Sequence, residues 1–384
     1  MKASLVTSGL VAVVVGFGGS VAVVIAAADS LGATEAQKAS WITVLCLSMA
    51  AGSLWLSWRS KMPVVLAWST PGAALIAASV GIDMEQAVGA FLVAGALIVL
   101  TGVIRPLGAA AARIPAALAT ALLAGVLFDF VAGAVVDSVA LPVLGVPMVA
   151  AFLLVRLWSA AWAVIAAICV GVGIVLAAGM HGALPAIALS PPVLIVPVLD
   201  AGTVLGLALP LYIVTMASQN LPGIAVLRAD GYAPPVPAIL NVTGALSVLT
   251  APFGGHTTSL AAITAAICTG PDAHPDPQER WKGGLVYGAG YAGLALIGAS
   301  VVVMAASLPG ALITILAGLA LIGPFMGALR AAFGSGGDSF PAALTFAVTA
   351  SGVSFWSVGA PFWGLALGLL AMALAGLRAR AGAR

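Results

Sequence analysis

The sequence predicts an all-α polytopic membrane protein: fourteen transmembrane segments in a seven-plus-seven inverted repeat, with spans 3 and 10 each broken into a short extended strand and a half-helix. Three observations predict it. Of 384 residues, 62% are hydrophobic and only 7% charged, where a soluble domain is about a quarter charged. Apolar runs recur near the ~20-residue length that crosses a bilayer. The basic residues fall between these runs in alternation, which fixes both the number of spans and their direction.

The first seven runs cover 5–28, 39–58, 62–81, 86–104, 114–136, 140–157 and 160–180. The second seven cover 203–227, 234–252, 255–270, 283–306, 309–328, 339–355 and 357–377. With the N-terminus inside, the cytoplasmic segments hold Lys2, Arg59, Lys61, Arg105, Arg113, Arg156, Arg228, Arg280, Lys282, Arg330, Arg378, Arg380 and Arg384. Of the 14 basic residues only Lys38 then lies outside. One span more or fewer would scramble this register, so both termini are expected in the cytoplasm. Asp29, Glu35, Asp83, Glu85, Asp137 and Asp200 lean to the other face. Met1-Lys2 and Ala26-Ala27-Ala28 imitate a signal peptide, but the apolar stretch between them exceeds the usual ~7–15 residues and reads as the first helix. The net charge of +2 is spread over the loops and implies no nucleic-acid partner.

The two halves resemble each other. Ile114-Pro-Ala-Ala-Leu-Ala-Thr-Ala-Leu opens span 5 and Leu308-Pro-Gly-Ala-Leu-Ile-Thr-Ile-Leu opens span 12, at a constant offset of 194. Leu141-Pro142 opens span 6 and Phe340-Pro341 opens span 13. WSTPGAALIAAS (Trp68–Ser79) in span 3 corresponds to FGGHTTSLAAITAA (Phe253–Ala266) in span 10. Seven is odd, so the second half runs through the membrane inverted. Inverted repeats with paired broken helices are a pattern of secondary transporters, which bind substrate at the breaks.

The breaks carry the chemistry. Val64–Trp68 follows a proline and reads as extended; Ser69-Thr70-Pro71-Gly72 is then a helix start, with a hydroxyl N-cap and proline in the first turn. In span 10, Pro252–Gly255 reads as the extended piece and His256-Thr257-Thr258 as the helix start. Irregular backbone at membrane depth survives only inside protein or beside a wet cavity. Two helix N-termini meeting there would offer N–H groups and partial positive charge to an anion. Span 8 adds Tyr212, Thr215 and Gln219 on one helical face, then Asn220, with Pro222-Gly223 loosening the helix beyond. Gly16-Phe17-Gly18-Gly19-Ser20 is the corresponding thin point of span 1. The expected substrate contacts are Ser69, Thr70, Gln219, Asn220, Gly255, His256 and Thr257. His256 titrates near neutrality, so it could bind an anion, relay a proton, or do both.

Other chemistries are missing from the sequence. There is no P-loop to bind ATP, no HExxH and no GxSxG. Gly336-Gly337-Asp338 is like an intramembrane aspartyl protease, but its partner acid, Asp129 or Asp137, would lie at the opposite face. Cys46, Cys169 and Cys268 lie in apolar runs without paired spacing and read as small core residues. The chain is read as no enzyme, with no cofactor and no metal.

PFGGHTTSLAAITAAICTGPDAHPDPQERW (Pro252–Trp281), STPGAAL (Ser69–Leu75) and FAVTASGVSFWSVGAPFWGLALG (Phe346–Gly368) resemble the bacterial benzoate/proton symporter family over essentially the whole chain. The resemblance implies kinship with nucleobase and sulfate permeases of the inverted-repeat fold. It implies a substrate-carrying core of spans 1–4 and 8–11 (1–108 and 203–306) and a gate of spans 5–7 and 12–14 (109–202 and 307–384). Nucleobase permeases carry glutamates in spans 8 and 10, where this chain has Gln219 and Ala261. Without those acids, amides, hydroxyls and an imidazole suit an acceptor-only carboxylate. The expected function is import of benzoate or a similar aromatic carboxylate with protons, by alternating access, through a bacterial inner membrane. An anion uniporter or channel, or a nucleobase permease of the same fold, is the alternative. The aromatic pocket has Phe17, Tyr212 and Phe253 as candidates. The proton has His256 first, then Asp338 or the substrate's own carboxyl. The partners are the substrate anion, protons and the bilayer, with a homodimer left open.

Overall fold

The computed structural model describes residues 3–104, 115–180, 182, 191–261, 263–271, 273–298, 300, 302, 304, 307–334, 339–353, 355 and 360–382. Fourteen membrane segments follow in the expected order. Span 1 is α1 (Ala3–Gly18) and α2 (Val21–Ser30), span 2 is α3 (Glu35–Ser60), span 3 is β1 (Leu66–Trp68) then α4 (Thr70–Ala77), and span 4 is α5 (Met84–Val103). Spans 5 to 7 are α6 (Ala116–Ala140), α7 (Pro142–Arg156) and α8 (Ala160–Ala177). Span 8 is α9 (Ala201–Ala229). Span 9 is α10 (Val236–Thr250), span 10 is β2 (Thr258–Leu260) with α11 (Ile263–Thr269), and span 11 is α12 (Trp281–Leu296). Spans 12 to 14 are α13 (Gly310–Phe333), α14 (Phe340–Ala350) and α15 (Ala360–Gly382).

Local chemistry sets the helix ends. Thr34 with Gln37 and Asp83 with Gln86 form reciprocal capping boxes on α3 and α5, satisfying N–H groups that have no partner within the helix. Asp200 starts α9, accepting from Thr203 N (2.8 Å) and Thr203 Oγ1 (2.9 Å). Those bonds to Thr203, its backbone N–H first, hold the Asp200 carboxyl below the usual carboxylate range.

Two groups of helices pack among themselves. In one, α3 lies on α12, α5 on α10, and α1 on α11 and α12. In the other, α6 lies on α13 and α14, α14 on α15, and α7 on α8. Without a hydrophobic drive between helices in lipid, close backbone approach at small residues supplies the contact. At Gly244 of α10 a Cβ would come within 2.6 Å of the Val99 nitrogen, so α5 and α10 touch backbone to backbone there.

The structure corrects two local readings. Pro252–Gly255 is the end of span 9, not the extended piece of span 10. The helix runs on as a tight turn over Ala251–Phe253, and Gly254 (φ 90°) then closes it. Gly254 N bonds Ala251 O and Gly255 N bonds Thr250 O, the paired bonds of a Schellman cap, whose left-handed residue favours glycine. His256-Thr257-Thr258 therefore starts no helix; it leads into β2, and α11 begins at Ile263. In span 8, Pro222-Gly223 does not interrupt α9. Wide turns at Val204–Ala208 and Met216–Asn220 absorb the irregularity, the second just before the proline that lacks an N–H to donate.

Arg280 ties down the far end of span 10. It is 6% exposed and donates through Nε to His274 O (2.6 Å), through Nη1 to Thr269 O (2.7 Å) and through Nη2 to Pro275 O (3.4 Å). Thr269 ends α11, so a cation meets the negative end of the half-helix. Arg280→Ala leaves three carbonyls, two of them in buried residues, without this donor and is expected to cost on the order of 3 kcal/mol. The measurement is the thermal midpoint of purified protein in detergent; Arg280→Lys, lacking the fork, should recover only part of the loss.

Candidate functional site

The two broken spans meet in a two-stranded antiparallel sheet. Leu66 faces Leu260, Ala67 faces Ser259, and Trp68 faces Thr258. The ladder extends at both ends, through Ser69 N to Thr257 O (2.9 Å) and Ala261 N to Val65 O (3.0 Å). Two isolated strands inside a membrane leave backbone groups on their outer edges, and each unmet group there is costly.

Side chains from four other spans meet them. Ser53 Oγ accepts from Leu66 N (2.9 Å) and Tyr287 OH donates to Leu66 O (2.7 Å). Ser247 Oγ accepts from Thr258 N (2.9 Å), and Asn220 Oδ1 accepts from Leu260 N (2.9 Å). Within the sheet, Ser259 Oγ donates to Ala67 O (3.1 Å). Ser48 and Thr258 join their hydroxyls at 2.8 Å.

A hydroxyl chain sits where β1 becomes α4. Ser69 is the N-cap, its Oγ accepting from Gly72 N (3.1 Å). Thr215 of α9 donates to that same Oγ (3.0 Å), so the 2.8 Å contact between Thr215 and Thr257 has Thr257 as donor. All three residues are fully buried.

His256 lies beside them, also fully buried. Trp41 Nε1 stands 3.0 Å from His256 Nδ1, and His256 Nε2 stands 3.0 Å from Ser69 O. An indole only donates and a carbonyl only accepts. Nδ1 is therefore the acceptor and Nε2–H the donor, which sets one neutral tautomer with both nitrogens engaged. The ring also stands edge-on to Trp41 and Phe91, centroids 5.7 and 6.3 Å away.

An aromatic wall flanks the other side. Phe17 meets Trp68 edge to face at 5.7 Å, and Trp68 Nε1 donates to Ser20 Oγ (2.8 Å). Trp68 also meets Tyr291 at 6.2 Å, and Tyr291 stacks on Tyr287 at 4.8 Å. Ser20 lies in the break between α1 and α2, so the thin point of span 1 is joined to span 3 by this one indole.

The residues expected at the site thus have different places. Ser69, His256 and Thr257 are brought together by direct hydrogen bonds, Asn220 joins them through β2, and Gly255 precedes His256 with no room for a Cβ against Thr250 (2.7 Å). Phe17, Thr70 and Gln219 are half-buried. Thr70 and Gln219 make no side-chain hydrogen bond among the described residues. Tyr212 turns to span 4, its OH 2.7 Å from Thr101 Oγ1, and Phe253 accepts at its carbonyl from Ser40 (2.9 Å). Asp338 lies outside the described residues. The sequence reading missed Trp41, Ser53, Ser247 and Tyr287. The only signal for them was the frequency of serine in span 2 (Ser40, Ser48, Ser53 and Ser57, all buried), more than an apolar helix needs.

Comparison with known proteins finds relatives along nearly the whole chain. The family described as benzoate membrane transport protein matches residues 1–374. An inner membrane protein of Escherichia coli (strain K12), YdcO, is 40% identical over 364 residues, covering 94% of this chain and 93% of that one. A benzoate membrane transport protein of Acinetobacter baylyi (strain ATCC 33305 / BD413 / ADP1) is 32% identical over 370 residues, 96% and 94% of the two chains. Two solved structures share the fold at low identity. The transmembrane domain of the cyanobacterial bicarbonate transporter BicA superposes with a TM-score of 0.61 at 14% identity, covering 96% of this chain and 98% of that chain. SLC26A9 superposes with a TM-score of 0.64 at 13% identity, covering 96% of this chain and 64% of the longer one.

Trp41→Phe keeps the ring but strands a buried acceptor, His256 Nδ1, which costs about 1–3 kcal/mol. The variant should unfold at lower temperature. In histidine-labelled protein, nitrogen NMR should show the Nε2–H tautomer in wild type and a disturbed Nδ1 resonance in the variant.

Proposed function

The chain belongs to the benzoate membrane transport protein family, a family of multi-pass membrane transporters, and on that premise we propose that it carries benzoate or a similar aromatic carboxylate together with protons by alternating access. The observation that carries the substrate class is the chemistry left free at the break. The half-buried polar side chains without a partner there are an amide, Gln219, and two hydroxyls, Ser218 next to it and Thr70 at the start of α4; the half-buried ring of Phe17 meets Trp68, two residues before Thr70. No carboxylate stands among them. An acceptor-only anion with an apolar ring fits donors and an aromatic edge; an acid in the same place would repel it. The relative from Acinetobacter baylyi, with benzoate in its name, supports the ring.

The division of labour follows the packing. Spans 1–4 and 8–11 share the sheet and its hydroxyl network and are proposed as the substrate-carrying core, residues 1–108 and 203–306. Spans 5–7 and 12–14 pack among themselves and are proposed as the gate, residues 109–202 and 307–384. Both termini are proposed to lie on the cytoplasmic side of a bacterial inner membrane; the Arg/Lys register supports the side, and the YdcO relative's name supports that membrane.

For His256 the geometry favours a positioning role over carriage of the coupled proton. A second ring proton, on Nδ1, would break the Trp41 bond and leave two buried donors facing each other. The imidazole holds the crossing chain of span 10 against the N-cap of span 3.

In proteoliposomes, labelled benzoate should accumulate down an imposed proton gradient and stop accumulating with a protonophore. Uptake that only equilibrates would leave a uniporter or channel, and competition by uracil or xanthine would point to a nucleobase permease. Gln219→Glu sets a negative charge beside the proposed carboxylate. At ~5 Å and an effective dielectric of ~20 the repulsion is roughly 3 kcal/mol, so benzoate uptake should fall about a hundredfold in affinity. Gln219→Asn, uncharged, should lose much less; equal affinity in the glutamate variant would remove Gln219 from the site.

A further inference from the structure

Among the described acids, one stands alone in the interior of a span. Asp129 lies near the centre of α6, thirteen residues after Ala116 and eleven before Ala140, ~20 and ~16 Å along the axis. It is exposed and makes no hydrogen bond or ion pair among the described residues. The other described acids sit at helix ends or in loops: Lys38 pairs with Asp29 (2.5 Å) and Glu35 (2.7 Å), and Lys282 pairs with Glu279. An ionisable residue inside a span is rare, costly and a functional-site hypothesis by default.

Its surroundings are specific. Gly125, one helical turn before Asp129 on the same face, lies against α14, where a Cβ would stand 2.6 Å from Thr349 Cβ and 2.9 Å from Phe346 O. The helix α14 ends at Ala350, one residue past this contact. Thr349 turns its methyl to Gly125 and its Oγ1 to Gly364 of α15, so it offers the Asp129 carboxyl no hydroxyl. The helix α6 itself packs on α4 and on the Met216–Asn220 turn of α9, the two elements that carry Thr70 and Gln219.

No charged group in the elements packed on α6 competes for the role. α4 and α14 contain no titratable residue. α7 has Arg156 as its last residue, with its guanidinium 5.7 Å from the Phe152 ring. α13 has Arg330 in its last turn; that is twelve residues beyond the Gly318–Phe130 contact, ~18 Å along the helix. α9 contributes Tyr212, bonded to Thr101, and Arg228 in its last turn. α15 carries arginines 378 and 380 only in its last turns, and α6 itself adds Asp137 near its end.

We propose that Asp129 is the carboxyl group that takes up and releases the coupled proton; this rests on the proton-coupled transport proposed above. On one side of the membrane the carboxylate accepts one proton while the substrate binds as a monoanion. Substrate and proton then cross together, with one net negative charge between them. On the other side both leave, and the empty carrier resets with Asp129 as its single negative charge, so the loaded and the empty carrier cross with the same net charge.

The test uses three readouts on Asp129→Asn and Asp129→Glu in proteoliposomes. The asparagine variant should lose accumulation of labelled benzoate under a proton gradient by at least tenfold, while exchange of internal for external benzoate continues, since exchange needs no net proton movement. The glutamate variant should regain accumulation with a displaced pH profile. A protonated-carboxyl infrared band that comes and goes with pH in wild type should be absent from the asparagine variant. Full accumulation by folded Asp129→Asn would overturn the proposal. So would loss of exchange and accumulation together in both variants, which would mark a packing or dimer contact. If wild type handles no benzoate at all, the transport reading fails, and the infrared band alone still decides whether Asp129 exchanges a proton.

Discussion

The constraint on which the rest of the structure depends is the satisfaction of backbone groups at the crossing of spans 3 and 10. A strand of three residues in the membrane has donors and acceptors that no helix supplies, and water is not at hand to meet them. The protein meets them with β1 and β2 pairing to each other and with Ser53, Ser247, Asn220 and Tyr287 closing the outer edges. Those four come from spans 2, 9, 8 and 11. Each must sit at its own depth for the bonds to form, so the sheet fixes the positions of the helices around it as firmly as they fix the sheet. Indole and imidazole finish the arrangement: Trp68 draws in the break of span 1 through Ser20, and Trp41 holds His256 against Ser69.

A network of so many buried bonds has little slack, and that shapes where motion and binding can occur. Shifting span 10 relative to span 3 would break several buried bonds at once, each costing the desolvation of a stranded group. Movement between the sheet-bearing helices and the α6–α13–α14 group breaks none of them. Side chains that already hold partners are also poor ligands for a substrate, since a new bond must replace an old one. The half-buried groups without partners, Thr70, Ser218 and Gln219, keep their full capacity. The same reasoning separates position from contact among the polar residues of the break. Ser69, Thr257, Asn220 and His256 are held by the bonds they make, and Thr70 and Gln219 are the proposed substrate contacts.

Much of this was legible in the sequence, for reasons that differ by element. The fourteen spans and the broken third and tenth followed from apolar run length and from the matched motifs at Trp68 and Phe253. The N-cap at Ser69 was legible because a hydroxyl followed by Thr70-Pro71-Gly72 has one good local use. The start of the span 10 half-helix was misplaced because Pro252-Phe253-Gly254 fits equally a break or a helix end. Only the 2.7 Å approach that a Cβ at Gly255 would make to Thr250, and the Schellman bonds, tell them apart. The serines of span 2 and Ser247 looked like tolerated polar residues, for their partners lie in backbone distant in sequence. His256 was singled out in the sequence, but its hydrogen-bond partners were not: a histidine's two nitrogens are defined by what faces them, and Trp41 is 215 positions away.

The electrostatic design proposed here separates two charges that simple carriers place together. A carboxylate substrate and a proton-binding carboxylate repel each other unless the proton is present, at roughly 3 kcal/mol for ~5 Å and an effective dielectric of ~20. Direct contact would thus couple them strongly, but it would also weaken substrate capture whenever the proton is absent. Removing acids from the break, with Gln219 and Ala261 in place of carboxylates, leaves the substrate position attractive to an anion in every protonation state. Ala261 could not easily regain an acid in any case. It is 1% exposed, its N–H is bound to Val65 O, and its carbonyl lies 2.7 Å from where a Gly223 Cβ would stand. If the proton binds on α6, coupling passes through the movement of one helix group against the other. The carrier then needs no repulsion at the site itself, because two states share one net negative charge, the bound anion with a neutral α6 and a charged α6 alone, and those two would cross alike.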